Sequence, residues 1–177
     1  MKVGDVISED AVWCYSDPIE GCIDVRGYVA FYWNKVDAWF EENKQVFYGV
    51  KDPYTRVDCL NSNRLIEIYI DSLLVAKTDQ PVMLIETGLP TRFYIPIGDV
   101  NLSYLKENLR LVGSPYKGEA RYFDFHNQSD VIEDIAWSYK NPYPEVEDIQ
   151  NHICFPQGKV DLYVDGILQE RPKTRWD

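Results

Sequence analysis

Histidine is nearly absent from this chain: His126 and His152 are the only two in 177 residues. They supply neither a histidine metal set nor the base of a triad beside a nucleophile. Four cysteines, Cys14, Cys22, Cys59 and Cys154, include no C-x-x-C pair. That excludes zinc knuckles and dithiol redox motifs, and buried reduced thiols are expected. No apolar run reaches the ~18 residues of a spanning helix, and Met1-Lys2-Val3-Gly4-Asp5 lacks a signal-peptide core. A cytoplasmic protein is the expectation. Basic residues are scarce, 18 Lys plus Arg against 29 Asp plus Glu, and the net charge of −11 repels phosphate backbones and anionic lipid. Neither nucleic acid nor membrane is expected as a partner, and no cofactor or metal is implied.

Aromatic residues are plentiful instead. With 45% hydrophobic residues, 13 Tyr and 5 Trp, the chain has ample material for a core, and its length suits a domain plus an appended half. Two stretches match at one offset: Trp13-Cys14-Tyr15-Ser16-Asp17-Pro18 returns as Trp137-Ser138-Tyr139-Lys140-Asn141-Pro142 (137 − 13 = 124), and Lys35-Val36-Asp37 as Lys159-Val160-Asp161 (159 − 35 = 124). From Glu9 to Phe40, ten of 32 residues are identical. Average composition gives roughly two. A duplicated half-unit follows.

Each copy reads as strand, Pro-containing turn, short helix, strand and hairpin. In the second copy Pro144 suits a first helical position, Val146, Ile149 and Ile153 share a stripe, and the acidic Glu145-Val146-Glu147-Asp148 suits a first turn. The first copy keeps Val25 and Val29 on its stripe, but Gly21 and Gly27 weaken the helix. Residues 41–62 read as a connector with at most short structure. From Arg64 the pattern turns to strands. Ile66, Ile68 and Ile70 alternate with Glu67 and Tyr69, Leu73 to Lys77, Val82 to Glu86 and Thr91 to Ile95 follow, and the stretch from Ala120 has an aromatic face. Asp99 to Leu105 has an ambiguous period. The organisation is thus a half-repeat over 1–40, a connector over 41–62 and a complete domain over 63–170. A half-unit cannot bury its apolar face alone, so it packs on the central sheet or on a second chain, the latter making a homodimer.

Candidate functional residues lie in two turns and one strand. The Pro115-Tyr116-Lys117-Gly118-Glu119 loop joins a cation, a phenol and a permissive glycine. Lys117 beside Tyr116 suits an anionic group or, desolvated, a base or nucleophile; equally, the loop is a β-turn with Lys117 solvated. Glu86 and Arg92 flank Thr87-Gly88-Leu89-Pro90, with Tyr94 on the face of Arg92. They line a polar pocket or make a cross-strand ion pair that sets register. Trp137 and Tyr139 share one strand face, as core or as pocket wall.

Three segments together carry a resemblance: Glu86-Thr87-Gly88-Leu89-Pro90-Thr91-Arg92-Phe93-Tyr94-Ile95-Pro96, Pro115-Tyr116-Lys117-Gly118-Glu119-Ala120-Arg121-Tyr122 and Trp137-x-Tyr139-x-x-Pro142. The chain resembles family 427 of the domains of unknown function, in its longer members with an extra carboxy-terminal half placed first. The resemblance implies a mainly β fold of β-tent topology, similar to Mss4-like proteins, with one or two short helices. A nucleotidyltransferase label circulates for some members, yet this chain lacks a Gly-Ser turn followed by an Asp-x-Asp pair for magnesium and triphosphate. Relatives usually have cysteine where Ser114 stands, and a structural role for that position is favoured.

Three functions fit: a small-molecule-binding β-domain with a polar pocket around Lys117 and Glu86, an enzyme of unassigned class using Lys117 or Glu86 for proton transfer, and a structural or dimerisation module.

Overall fold

The computed structural model describes residues 1–128 and 130–173 and divides into two units, Met1–Val50 and Lys51–Asp177. The protein is mainly β, with a large antiparallel sheet and a few 3₁₀ turns.

The first unit holds three short hairpins: β1 (Lys2–Val3) with β2 (Val6–Ile7), β3 (Val12–Trp13) with β4 (Ala30–Phe31), and β5 (Trp39–Glu41) with β6 (Lys44–Val46). Of its side chains only Ala11 is fully buried.

The second unit contains two sheets. The larger runs in the order β12 (Leu105–Ser114), β13 (Gly118–His126), β14 (Val131–Tyr139), β15 (His152–Cys154), β11 (Arg92–Pro96), β10 (Val82–Glu86) and β7 (Val57–Asn61). The smaller is β17 (Ile167–Leu168), β16 (Asp161–Val164), β8 (Ile66–Ile70) and β9 (Leu73–Thr78). Strict alternation in β8 buries Ile66, Ile68 and Ile70 and leaves Glu67 and Tyr69 outward. Its turn into β9 uses Asp71 (φ 49°) and Ser72 (φ 65°), the two left-handed residues a tight hairpin needs.

The main core lies between β8, β9 and β16 and one face of the large sheet, whose Ile95, Phe125 and Ile153 point inward. The opposite face carries a second cluster: Val82, Leu84, Tyr94, Ala120, Tyr139 and Cys154, covered by Val146 and Ile149. Because side chains alternate along each strand, Ile153 and Cys154 serve different cores.

The helix expected after Pro144 is a 3₁₀ segment, Pro144–Ile149, kinked at Val146. Val146 and Ile149 are buried as the stripe requires, but Asn151 at φ 60° turns the chain, so Ile153 belongs to β15 rather than the helix. No helix forms on the Val25 and Val29 stripe; the only helical turn of the first unit is Trp33–Lys35. Within the expected connector, Val57–Asn61 is a strand of the large sheet. The ambiguous stretch resolves into 3₁₀ turns at Ile97–Asp99 and Leu102–Tyr104. Strand β12 gave no periodic signal because it is an edge with a register shift between Glu107 and Leu111, and its Leu109 is fully exposed.

Backbone features recur at the 124-residue offset. Trp13 pairs with Ala30 as Trp137 pairs with Cys154. Cys22 N–H donates to Ile19 as Val146 N–H does to Tyr143, and Lys35 N–H to Tyr32 as Lys159 N–H does to Pro156. Asp10 (φ 50°) and Asp134 (φ 54°) occupy corresponding positions in the left-handed region, as do Gly27 (φ 84°) and Asn151 (φ 60°).

Candidate functional site

The turn between β12 and β13 sets the position of Lys117. Ser114 Oγ accepts hydrogen bonds from the N–H groups of Tyr116 (3.2 Å) and Lys117 (3.3 Å), so a hydroxyl suffices to close the loop. Gly118 follows at φ +95°, where a Cβ would meet the Asn141 carbonyl oxygen at 3.2 Å. The Tyr143 N–H donates to the Lys117 carbonyl at 3.2 Å. The backbone is thereby clamped between two strand ends, and the lysine side chain is not solvated. Its Nζ lies 2.5 Å from Glu86 Oε2, with side-chain exposures of 12% and 13%.

Glu86 therefore does not pair with Arg92. In the hairpin register Leu84 faces Arg92 and Val82 faces Tyr94, so Glu86 projects beyond the last paired rung and meets Val57 on the other side. Half-buried Arg92 lies over the Trp137 ring instead, 5.8 Å from its centre. Its guanidinium has no ion pair or hydrogen bond among the described residues. The Trp137 indole N–H donates to the Tyr94 hydroxyl at 3.2 Å, and the Tyr94 and Tyr139 rings stand 6.5 Å apart. Glu86, Arg92, Tyr94, Lys117, Trp137 and Tyr139 are thus gathered on one face of the large sheet. Tyr116 is not among them: its hydroxyl accepts from the Asp52 N–H at 2.7 Å and lines a separate recess of about 310 Å³ with Lys51, Asp52 and Glu145. Adjacent residues of a turn point apart, which separates Tyr116 from Lys117.

Other residues complete the face without having been singled out in the sequence. Tyr122 lies 6.1 Å from Trp137, Arg110 caps the Tyr122 ring at 4.9 Å, and Arg110 is itself ion-paired with Asp134. Cys154 lies within this cluster and Cys59 packs against it. Of the four cysteines expected to be buried thiols, Cys154 is buried and Cys59 half-buried, whereas Cys14 and Cys22 are exposed. Nothing in the sequence marks Arg110, which belongs to the unpatterned β12.

Burial dominates the proton affinities here. It pushes the Cys154 thiol up to about 12 against the pull of Arg92 and Lys117. The Cys59 thiol rises to about 11, first through burial and then through Asp148 and Asp58. Burial likewise raises the phenols of Tyr94, Tyr139 and Tyr122. At neutral pH these thiols and phenols are uncharged, so the charged side chains along the face are Glu86, Lys117 and Arg92, with Arg110, Asp134 and Asp124 as a second group. Among the described residues no group of three or more His, Cys, Asp and Glu is placed to hold a metal ion, and no helix is long and apolar enough to cross a membrane.

Fold and site together define a mainly β protein whose large sheet carries an aromatic face set with Arg92, Lys117 and Glu86. The chain belongs to the family described as Domain of unknown function (DUF427), with the short label NTP_transf_9, whose model matches residues 1–42 and 58–166. No curated protein matches the chain.

Proposed function

We propose that residues 63–170 form a cytoplasmic small-molecule-binding domain whose ligand carries an acidic group and settles against Arg92, Trp137 and the Glu86–Lys117 pair. The observation that carries this reading is the half-buried Arg92 guanidinium, held on an indole with none of its donors used among the described residues. A guanidinium in that setting is a preorganised anion receptor: the ring fixes its plane and the partial burial strengthens whatever it binds. The Tyr139 ring is buried beside Tyr94, and its hydroxyl adds a second polar group without a hydrogen-bond partner among the described residues. Two packed sheets in one unit also suit the β-tent arrangement implied by the resemblance. The test is a thermal-shift screen of anionic metabolites and nucleotides against the protein and Arg92→Met. A ligand at 100 times its Kd stabilises by about 2.7 kcal/mol, and the variant should lose that shift. A hit that stabilises both proteins equally would place binding elsewhere.

The enzyme reading has less support, because the Lys117 amine and the Glu86 carboxylate are already engaged with each other. A different observation favours an association role for the first unit. Val25, Val29 and Phe31 are exposed, whereas Ile149, Ile153 and Phe155, each 124 residues later, are buried. On that reading the half-unit associates with a second copy of the chain, and sedimentation showing only monomer at high concentration would dismiss it.

A further inference from the structure

The charges on the binding face also select among anions. Glu86 contributes one negative charge, and Lys117 and Arg92 one positive charge each. Arg110, a further cation of the face, is paired with Asp134, and Asp124 joins the same group through the shared Asn108 amide, so no positive charge is left over there. Two further carboxylates act on Cys59: Asp148 is exposed and faces a different groove with Asn61, Asp79 and His152, and Asp58 is paired with Arg56. Counted over Glu86, Lys117 and Arg92, this part of the face carries one uncompensated positive charge. In a partly desolvated site an excess charge of either sign is costly, so the best complement is an anion with a single charge.

We propose that the site is built for a monoanionic carboxylate on an apolar or aromatic body and discriminates against dianionic phosphate esters, with Glu86 as the residue that sets this choice. The inference rests on the binding reading above and adds the class of ligand to it. A carboxylate matches the fork of Arg92 with two parallel N–H donors. Its body would lie along the half-buried rings of Trp137 and Tyr122, which stand 6.1 Å apart and tilted by 38°. A phosphate monoester at pH 7.5 carries close to two charges. Only one of these would be neutralised by Arg92, because Lys117 is committed to Glu86. The second would face the Glu86 carboxylate. Glu86 thus does more than hold the lysine: it sets the net charge that the ligand must meet.

Two probes with the same ring separate the possibilities: phenylacetate, with one charge, and phenyl phosphate, with nearly two. Calorimetric titration of the full chain at pH 7.5 should give phenylacetate an advantage of about tenfold or more, a difference of about 1.4 kcal/mol. Glu86→Gln raises the charge of the face by one and should move the ratio toward phenyl phosphate by about tenfold or more. Glu86→Gln combined with Lys117→Met returns the face to one positive charge, so the preference for phenylacetate should return with it. Arg92→Met should weaken both probes. If phenyl phosphate binds the unaltered protein as tightly as phenylacetate, or if Glu86→Gln leaves the ratio unchanged, the charge selection is wrong, while a loss of binding in Arg92→Met keeps the site itself standing. If Arg92→Met binds both probes as well as the parent, or neither probe binds the parent at millimolar concentration, the site and its selectivity fall together. The ratio measured on the unaltered protein decides the matter should Glu86→Gln fail to fold.

Discussion

Lys117 Nζ and Glu86 Oε2 are 2.5 Å apart, and the two side chains come from the β12–β13 turn and the end of β10, 31 positions apart in sequence. Removing one partner strands the other charge in a site with little water. Glu86→Gln and Lys117→Met should each cost about 3–5 kcal/mol. The double variant should cost less than either, because it removes both desolvation penalties. Urea unfolding of the four proteins checks this as a double-mutant cycle. Additive costs would mean that the two residues do not act as a pair.

Gly118 binds the same turn to the Asn141–Tyr143 backbone. A side chain there must adopt φ +95° and also displace a carbonyl oxygen 3.2 Å away. Gly118→Ala should cost about 1–3 kcal/mol and loosen the Lys117 site. Gly88→Ala is the control: φ is also positive, +78°, but nothing lies within 4 Å of the new Cβ. Its cost should be smaller by the steric part, as thermal denaturation of both variants will tell.

Tyr94 and Trp137 are joined by the indole N–H bond to the phenol oxygen, 3.2 Å long. Tyr94→Phe leaves that N–H without its acceptor in a mostly buried setting. The expected loss is about 1–3 kcal/mol, accompanied by a change in tryptophan emission. An unchanged unfolding midpoint would show that the bond contributes nothing.

The raised thiols and phenols make the fold sensitive to alkali. Cys154 moves from 9.0 to about 12 and Cys59 from 9.0 to about 11, so the folded state holds these protons more tightly than the unfolded one. The stabilisation is complete below pH 9 and is lost as pH climbs toward 11 for Cys59 and 12 for Cys154. Each such group should cost about 1.4 kcal/mol per pH unit across its window, and the phenols add to this once pH exceeds 10.0. Urea midpoints should be level from pH 7 to about 9 and fall above it. Cys154→Ala should flatten the fall.

The first unit buries one side chain fully, Ala11, whereas β8 buries three of its five residues. Amides of residues 1–50 should therefore exchange with solvent far faster than those of Ile66–Ile70 and Arg92–Pro96. Hydrogen-exchange mass spectrometry on the full chain measures both at once. Equal protection would mean that residues 1–50 are buried in solution by something these surfaces do not reveal.

Much of the fold was readable because it is local. The alternation of Ile66, Ile68 and Ile70 and the run Val82 to Glu86 each specify their own conformation through side-chain direction. Strand β12 was not readable, since an exposed, bulged edge has no buried side to impose a period. The six site residues that converge were all visible as residue types, but their partners were not. A Glu86–Arg92 pair is one of the two arrangements the sequence allows; the hairpin register sets Leu84 opposite Arg92, and Glu86 meets Lys117.

By itself, then, the sequence determined a β-rich chain with a motif recurring at 124 residues, an acidic balance and the turns that hold Lys117 and Glu86. Tertiary structure alone decided that Arg92 rests on Trp137 without a carboxylate partner among the described residues, that Lys117 is neutralised, and that Tyr116 faces elsewhere. The physical reason is range. Propensity and periodicity act over a few residues, whereas the charge left over on a sheet face depends on strands β10, β11, β13 and β14 meeting in one register, and no local pattern encodes that sum.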